Sequence, residues 1–159
     1  MNLYDFSLRT IDGSERSLGD FRGKVVLVVN TASRCGFTPQ YVGLEKLHAE
    51  NEARGFAVLG MPSNDFGAQE PGTEAEIKEF CAAQFGVSFP LFSKIQVKGP
   101  SKHPLYAFLT AAPPSGEVKW NFAKFLVGKD GNVVGRYDSS VTPQDPALAA
   151  DIAKALAAP

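Results

Sequence analysis

The sequence predicts a single α/β domain built on a central mixed sheet, and three patterns indicate it. Residues 25–29 form a run of five aliphatic residues, which is typical of a strand buried on both faces. A helical pattern and a second short apolar run, 56–60, follow and predict a strand–helix–strand unit with a right-handed crossover. Two more apolar segments, 122–127 and 132–137, flank Gly128-Lys129-Asp130-Gly131 and predict a β-hairpin. We therefore expect a mostly parallel sheet with an antiparallel hairpin at its edge.

The remaining segments complete this architecture at both ends of the chain. Alternating apolar residues before a turn at 11–14 predict a short N-terminal hairpin. Thr38-Pro39 predicts the N-cap and first residue of a helix that ends before Gly55. Residues 87–95 contain Pro90, so at most a short strand is expected there.

Three further helices are predicted after the second buried strand. The Thr73-x-x-Glu76 capping box begins one that ends at Gly86 and turns Ile77, Phe80 and Cys81 toward the core. A short helix is expected at 103–110, and Asp145-Pro146 caps a last one. This order of elements is that of a thioredoxin-like fold, with helices on both faces of the sheet.

Composition limits the classes of partner. The chain has 159 residues, 44% of them hydrophobic and 21% charged, so residues 1–159 are predicted to form one domain with its own core. The formal net charge of −1 gives no reason to expect nucleic acid or an anionic membrane as partner. No apolar run approaches the roughly 20 residues of a membrane helix, and the N-terminus lacks the basic start of a secretory signal. We therefore expect a cytoplasmic location and no membrane insertion.

The two cysteines, Cys35 and Cys81, are the first candidates for chemistry. They form no C-x-x-C pair, and with His48 and His103 they are too scattered to predict a metal site. A permanent disulfide is not expected in a reducing cytoplasm. From composition alone, both could equally be small buried hydrophobic residues, and both histidines are expected to be structural or exposed to solvent.

Cys35 stands out because it follows a buried strand and precedes a predicted helix start. Ligands bind in such loops in open α/β sheets, and the free N–H groups of a helix start favour negative charge. The adjacent Arg34 adds positive charge. A thiolate is therefore expected here, and the thiolate is the nucleophilic form of cysteine.

Three segments of the chain resemble the signature segments of the glutathione peroxidase family, in the same order. They are Asn30-Thr31-Ala32-Ser33-Arg34-Cys35-Gly36-Phe37-Thr38-Pro39-Gln40-Tyr41, Leu59-Gly60-Met61-Pro62-Ser63-Asn64-Asp65-Phe66-Gly67-Ala68-Gln69-Glu70-Pro71-Gly72 and Trp120-Asn121-Phe122-Ala123-Lys124-Phe125-Leu126-Val127. The family has a thioredoxin-like fold. The resemblance implies a peroxidase that reduces hydrogen peroxide and organic hydroperoxides, lipid hydroperoxides included, with no metal, haem, flavin or selenium.

The resemblance also implies a role for each matched site residue. Cys35 is expected to attack the peroxide and become a sulfenic acid. Gln69, Trp120 and Asn121 are expected to complete the site, since amide and indole N–H groups are neutral donors that stabilise a thiolate without a tight ion pair. Taken singly, each of these three residues would more often be structural.

Cys81 matches the resolving cysteine of thioredoxin-dependent family members. It is expected to attack the sulfenic acid and form a transient Cys35–Cys81 disulfide, which thioredoxin, or less readily glutathione, then reduces. Packing in the core remains the alternative for Cys81. A mid-helix cysteine cannot bridge a distant partner, so we expect the 73–85 helix to unwind locally during this step.

Two departures from the family pattern bear on these expectations. Ser63 stands where many cysteine-type members have a further cysteine, and Asp65 stands where an amide is usual. The short segment 113–117 replaces the long insertion of tetrameric members, which implies a monomer. The sequence is also compatible with two other functions. One is a redox regulator that signals through its disulfide, and the other is a binding protein that has the same fold but no enzymatic activity.

Overall fold

The computed structural model describes residues 1–159 and contains six strands and four α-helices. The strands are β1 (Ser7–Arg9), β2 (Glu15–Ser17), β3 (Val25–Thr31), β4 (Phe56–Pro62), β5 (Lys124–Val127) and β6 (Val133–Tyr137). The α-helices are α1 (Gln40–Asn51), α2 (Glu74–Phe85), α3 (Pro104–Ala111) and α4 (Pro146–Ala157). Three short 3₁₀ helices lie at Leu3–Asp5, Leu18–Phe21 and Glu52–Arg54.

The central sheet has the strand order β4-β3-β5-β6 and is mixed, as predicted. The parallel pairing is confined to β3 and β4, whereas β5 is antiparallel to β3 and β6 is antiparallel to β5. The expectation of a mostly parallel sheet was therefore wrong, because the returning strand β5 runs opposite to β3. The predicted N-terminal hairpin is confirmed as the antiparallel pair β1–β2.

Strand β3 is buried along its whole length because it has a hydrophobic core on each face. Val26 and Val28 join a cluster that includes Leu105 and Leu109 of α3. The alternate side chains join a second cluster with residues of α1, α2 and α4: these are Val25, Leu27 and Val29. Helices thus cover both faces, as predicted, and the second face is the one that carries both cysteines.

The local signals predicted most helix ends correctly. Thr73 and Glu76 form the expected capping box, with Thr73 N–H donating to Glu76 Oε1 at 2.9 Å and Glu76 N–H donating to Thr73 Oγ1 at 3.2 Å. Helix α2 ends at Gly86 in the left-handed conformation that glycine adopts readily. Asp145 caps α4 by accepting from the backbone N–H groups of its first turn.

The predicted start of α1 was wrong. The helix begins at Gln40, its N-cap position is Pro39, and no side chain caps it. The Thr38 hydroxyl is committed to the preceding turn, where it accepts from Cys35 N–H and donates to Ala32 O. The threonine therefore organises the cysteine turn rather than the helix.

The free edge of β4 is protected by groups from elsewhere in the chain. Residues 90–92 form no strand but supply an isolated bridge, in which Gly60 N–H donates to Pro90 O at 2.9 Å and Phe92 N–H donates to Gly60 O at 3.0 Å.

His48 is buried and its Nδ1 accepts from Val58 N–H at 3.2 Å. His103 accepts from Leu105 N–H as the N-cap of α3. Both histidines are thus structural, as expected.

Candidate active site

Cys35 lies in the turn between β3 and α1, and its side chain is almost completely buried. Its Sγ accepts a hydrogen bond from the backbone N–H of Phe37 at 3.3 Å. Thr38 fixes the same turn through two hydrogen bonds, from Cys35 N–H at 2.9 Å and to Ala32 O at 2.8 Å. The sulfur therefore sits on a hydrogen-bonded turn with a backbone N–H directed at it.

Gln69 reaches the cysteine turn from the loop that follows β4. Its backbone carbonyl accepts from Arg34 N–H at 3.0 Å, which fastens the loop next to Cys35. The two residues before it, Gly67 and Ala68, both have a positive φ, of 66° and 51°. This left-handed pair turns the chain sharply and presents the Gln69 side chain to the third matched segment.

Asn121 is completely buried and meets Gln69 directly. Its Nδ2 donates to Gln69 Oε1 at 3.0 Å and lies 3.5 Å from Phe66 O. Its Oδ1 is also buried and has no hydrogen-bond partner. Residues separated by 52 positions are thus joined through their side-chain amides.

Trp120 completes the group, half-buried between the two hydrophobic clusters. Its ring lies 5.8 Å from that of Phe66, measured between centroids. The buried Asn30 of β3 donates to Trp120 O at 3.0 Å, and Asn30 O accepts from Phe122 N–H at 2.6 Å. Asn30 therefore attaches the Trp120–Asn121 segment to the end of the strand that leads to Cys35.

The structure brings together Gln69, Trp120 and Asn121, and it places Cys35 on the turn that hydrogen-bonds the Gln69 segment. Thr38 and Asn30 also build the site, although no sequence pattern predicted a role for them there. Lys124 is a further buried residue near this segment, and its signal in the sequence is a lysine within an otherwise apolar strand pattern, Phe-Ala-Lys-Phe-Leu-Val.

Cys81 lies on α2 in the same hydrophobic cluster as Cys35, and both thiols are free. It is completely buried, as the apolar stripe of α2 predicted. Burial raises the pKa of the Cys81 thiol to about 11. The hydroxyl of Tyr41 faces this thiol without forming a well-aligned hydrogen bond to it. In this conformation Cys81 is therefore a protonated thiol, shielded from solvent.

The two departures from the family pattern have structural roles. The Asp65 carboxylate accepts from Val97 N–H at 2.6 Å and from Lys98 N–H at 3.3 Å, so it ties the site loop to the segment that follows residue 95. Ser63 is completely buried, and its Oγ accepts from Asp65 N–H at 3.3 Å. Both side chains therefore stabilise the loop.

An open cleft of about 780 Å³ lies beside Phe37 and Trp120. Its lining includes Val141, two cationic side chains, Lys119 and Arg136, and two carboxylates, Glu117 and Asp138. The cleft thus offers apolar surface and charges of both signs next to the cysteine turn. No helix of the molecule is both long and apolar enough to cross a bilayer.

Comparison with known proteins shows the family of the chain. The family model for glutathione peroxidase matches residues 3–110. The chain belongs to the glutathione peroxidase family. Among curated relatives, it is 53% identical to the hydroperoxy fatty acid reductase gpx1 of Synechocystis sp., over 97% of this chain and 95% of that protein. It is 43% identical to the thioredoxin/glutathione peroxidase BtuE of Escherichia coli, over 94% of each chain.

Solved structures agree with the fold. A crystal structure of Trgpx in apo form superposes with a TM-score of 0.82 at 38% identity, over 100% of this chain and 97% of that one. A thioredoxin family protein from Chlorobium tepidum superposes with a TM-score of 0.71 at 21% identity, over 95% and 92% of the two chains, which is evidence for the fold alone. The protein is a hydroperoxide-reducing oxidoreductase with a thioredoxin-like fold.

Proposed function

We propose that Cys35 is the residue that reacts with peroxide, assisted by Gln69, Trp120 and Asn121. The hydrogen bond between Asn121 Nδ2 and Gln69 Oε1 carries this proposal, because it joins two of the matched segments beside the cysteine turn. The Cys35 thiolate attacks one oxygen of the hydroperoxide. An S–O bond forms as the O–O bond breaks, and the other oxygen leaves as hydroxide or alkoxide and takes up a proton. The amide and indole N–H groups stabilise the charge that moves from sulfur to oxygen.

In the second step Cys81 resolves the sulfenic acid on Cys35. The Cys81 sulfur attacks the Cys35 sulfur, an S–S bond forms, and the sulfenic oxygen leaves as water with the thiol proton. Because Cys81 is buried and protonated where it stands, helix α2 must open before this step. The opening exposes the thiol to water, where its pKa returns toward about 8.5 and thiolate forms more readily.

The disulfide is then reduced by an external dithiol, and we propose thioredoxin in preference to glutathione. Two cysteines in one cycle suit a dithiol reductant, since thiol–disulfide exchange passes through a single mixed disulfide. The name of the Escherichia coli relative includes both reductants. The two electrons come from this partner, so the cycle requires no resident cofactor.

The substrates we propose are hydrogen peroxide and organic hydroperoxides, with fatty acid hydroperoxides among them. The name of the Synechocystis relative supports this, and so does the cleft beside Trp120, which has room for more than hydrogen peroxide. Its apolar residues, which include Phe37, Trp120 and Val141, suit an acyl chain. We further propose that the chain works as a monomer, as one domain, in the cytoplasm, where free thiols are maintained.

A comparison of reductants tests this function. Hydroperoxide consumption is measured with thioredoxin and, separately, with glutathione in the wild type, Cys35→Ser and Cys81→Ser. Cys35→Ser should lose activity with both, whereas Cys81→Ser should lose the thioredoxin-supported activity and still consume one equivalent of peroxide. Full activity of Cys35→Ser would refute the proposed role of Cys35. Unchanged thioredoxin-dependent turnover of Cys81→Ser would refute the resolving role of Cys81.

A further inference from the structure

Lys124 is a buried lysine that the proposed cycle does not use. It is the first residue of β5, its side chain has no exposed surface, and it takes part in none of the ion pairs of the molecule. Burial lowers the pKa of its ammonium group to about 8. An unpaired buried cation is costly, and an aliphatic residue would fill the same space without that cost. The contacts of the ammonium group therefore have to explain why a lysine occupies this buried position.

Its contacts are two backbone carbonyls close to the active site. Lys124 Nζ donates to Phe122 O at 2.7 Å, and Ser139 O lies 3.5 Å away. Ser139 O also accepts from Gln40 Nε2 at 2.8 Å, at the start of α1. One ammonium thus links the segment that carries Asn121, the loop after β6 and the helix that follows the Cys35 turn.

Phe122 is the residue that most needs such support. It has a φ of +65°, which an aromatic side chain adopts only under constraint from its surroundings. Its N–H donates to Asn30 O at 2.6 Å, so both of its backbone polar groups are held, one by Asn30 and the other by Lys124. This left-handed residue redirects the chain between Asn121 and strand β5.

We infer that Lys124 is a positioning residue for the peroxide-reducing step. By holding the carbonyl of Phe122, it fixes the peptide between Phe122 and Ala123, and with it the left-handed Phe122, and so directs the Asn121 amide at Gln69 and the reacting atoms. This inference rests on the proposed role of Asn121. Lys124 itself does not contact the substrate. Its effect on the reaction must therefore pass through Asn121.

The test is a double-mutant cycle on the first step alone. The second-order rate constant for oxidation of Cys35 by hydrogen peroxide is measured in single-turnover experiments for wild type, Lys124→Met, Asn121→Ala and the double variant. We expect Lys124→Met to lower this constant about tenfold or more, since small displacements of catalytic groups have effects of that size. In the Asn121→Ala background the same change should have less than about a threefold effect.

Lys129→Met is the matched control. Lys129 lies in the turn of the same hairpin and also donates to a backbone carbonyl, Ala158 O at 2.7 Å, but outside the site. Its rate constant should equal that of wild type. Lys124→Gln is made in parallel: its amide is one bond too short for the ammonium position, so a loss in the same direction is expected.

Trp120 gives a readout that global destabilisation would not move. It is the only tryptophan, so the fluorescence spectrum of the folded protein reports its environment. We expect Lys124→Met to shift this spectrum and Lys129→Met to leave it unchanged. Wild-type rate constants in both Lys124 variants, or an equal loss with and without Asn121, would overturn the inference. A wild-type rate constant in Asn121→Ala would instead refute the proposed site.

Discussion

Thr73→Ala should accelerate disulfide formation, although it removes a stabilising interaction. Thr73 caps helix α2 by accepting from Glu76 N–H at 3.2 Å, and Glu76 caps it reciprocally. Loss of such a cap costs about 1 kcal/mol. If Cys81 reacts only from an opened α2, destabilising the helix by this amount raises the open population about fivefold, since 1.4 kcal/mol corresponds to a factor of ten. The rate of disulfide formation should rise by the same factor.

The assay separates the two steps of the cycle. Protein is oxidised with one equivalent of hydrogen peroxide, quenched with acid at intervals, and analysed for free thiols by alkylation and mass spectrometry. Oxidation of Cys35 should be unchanged, because Thr73 does not contact the site residues.

Asp145→Ala is the control. Asp145 caps α4 by accepting from Ala147 N–H at 2.9 Å and Leu148 N–H at 3.3 Å, so its loss has a similar cost at a helix that does not need to open. An unchanged rate in Thr73→Ala, or equal acceleration in Asp145→Ala, would refute the requirement for opening of α2.

Three further predictions concern burial, pH and the site loop. Lys124→Met should be at least as stable as wild type at about pH 7, because a pKa of about 8 in place of 10.5 represents about 3 kcal/mol of desolvation, only part of which the lost hydrogen bond offsets. Wild type gains stability as the pH rises from about 8 toward 10.5. Its free energy of unfolding, measured by urea titration, should therefore rise relative to that of Lys124→Met between about pH 7 and about pH 9.5. A difference between the two proteins that does not change with pH would contradict the lowered pKa of Lys124. The pKa of the Cys81 thiol is raised to about 11, so packed α2 loses stability as the pH rises from about 8.5 toward 11. The rate of disulfide formation should therefore keep rising past about pH 8.5. A plateau at that pH would mean that the thiol is already exposed. Gly67→Ala should slow Cys35 oxidation, because its Cβ would lie 3.2 Å from Trp120 Cη2, whereas Gly23→Ala, at a similar φ of +83° in open space, should lose comparable stability with no change in that rate.

Local sequence signals predicted much of the fold. The buried run that became β3, the capping box at Thr73 and the glycine that ends α2 all depend on residues close in sequence, so pattern and propensity were enough to predict them. The inward direction of Cys81 followed from the same periodicity. The prediction of Thr38 as a helix cap was wrong because its hydroxyl has two local alternatives. It could cap a helix, but in the structure it accepts from Cys35 N–H and donates to Ala32 O within the cysteine turn.

Local sequence signals do not predict the long-range features of the site. The identities of Gln69 and Asn121 as site residues came only from a resemblance between segments, because nothing local predicts that two amides 52 residues apart will meet. The positive φ of Phe122 and the burial of Lys124 depend on how β5 returns beside β3. These contacts form only when the whole sheet is assembled, so residue propensities do not encode them.

In the proposed cycle, Cys35 and Cys81 form one redox pair. Peptide mapping under non-reducing conditions, after one equivalent of hydrogen peroxide, tests it most directly. We expect an intramolecular Cys35–Cys81 disulfide that disappears on addition of reduced thioredoxin. Recovery of Cys81 as a free thiol, with Cys35 left as a sulfenic or more highly oxidised acid, would contradict it.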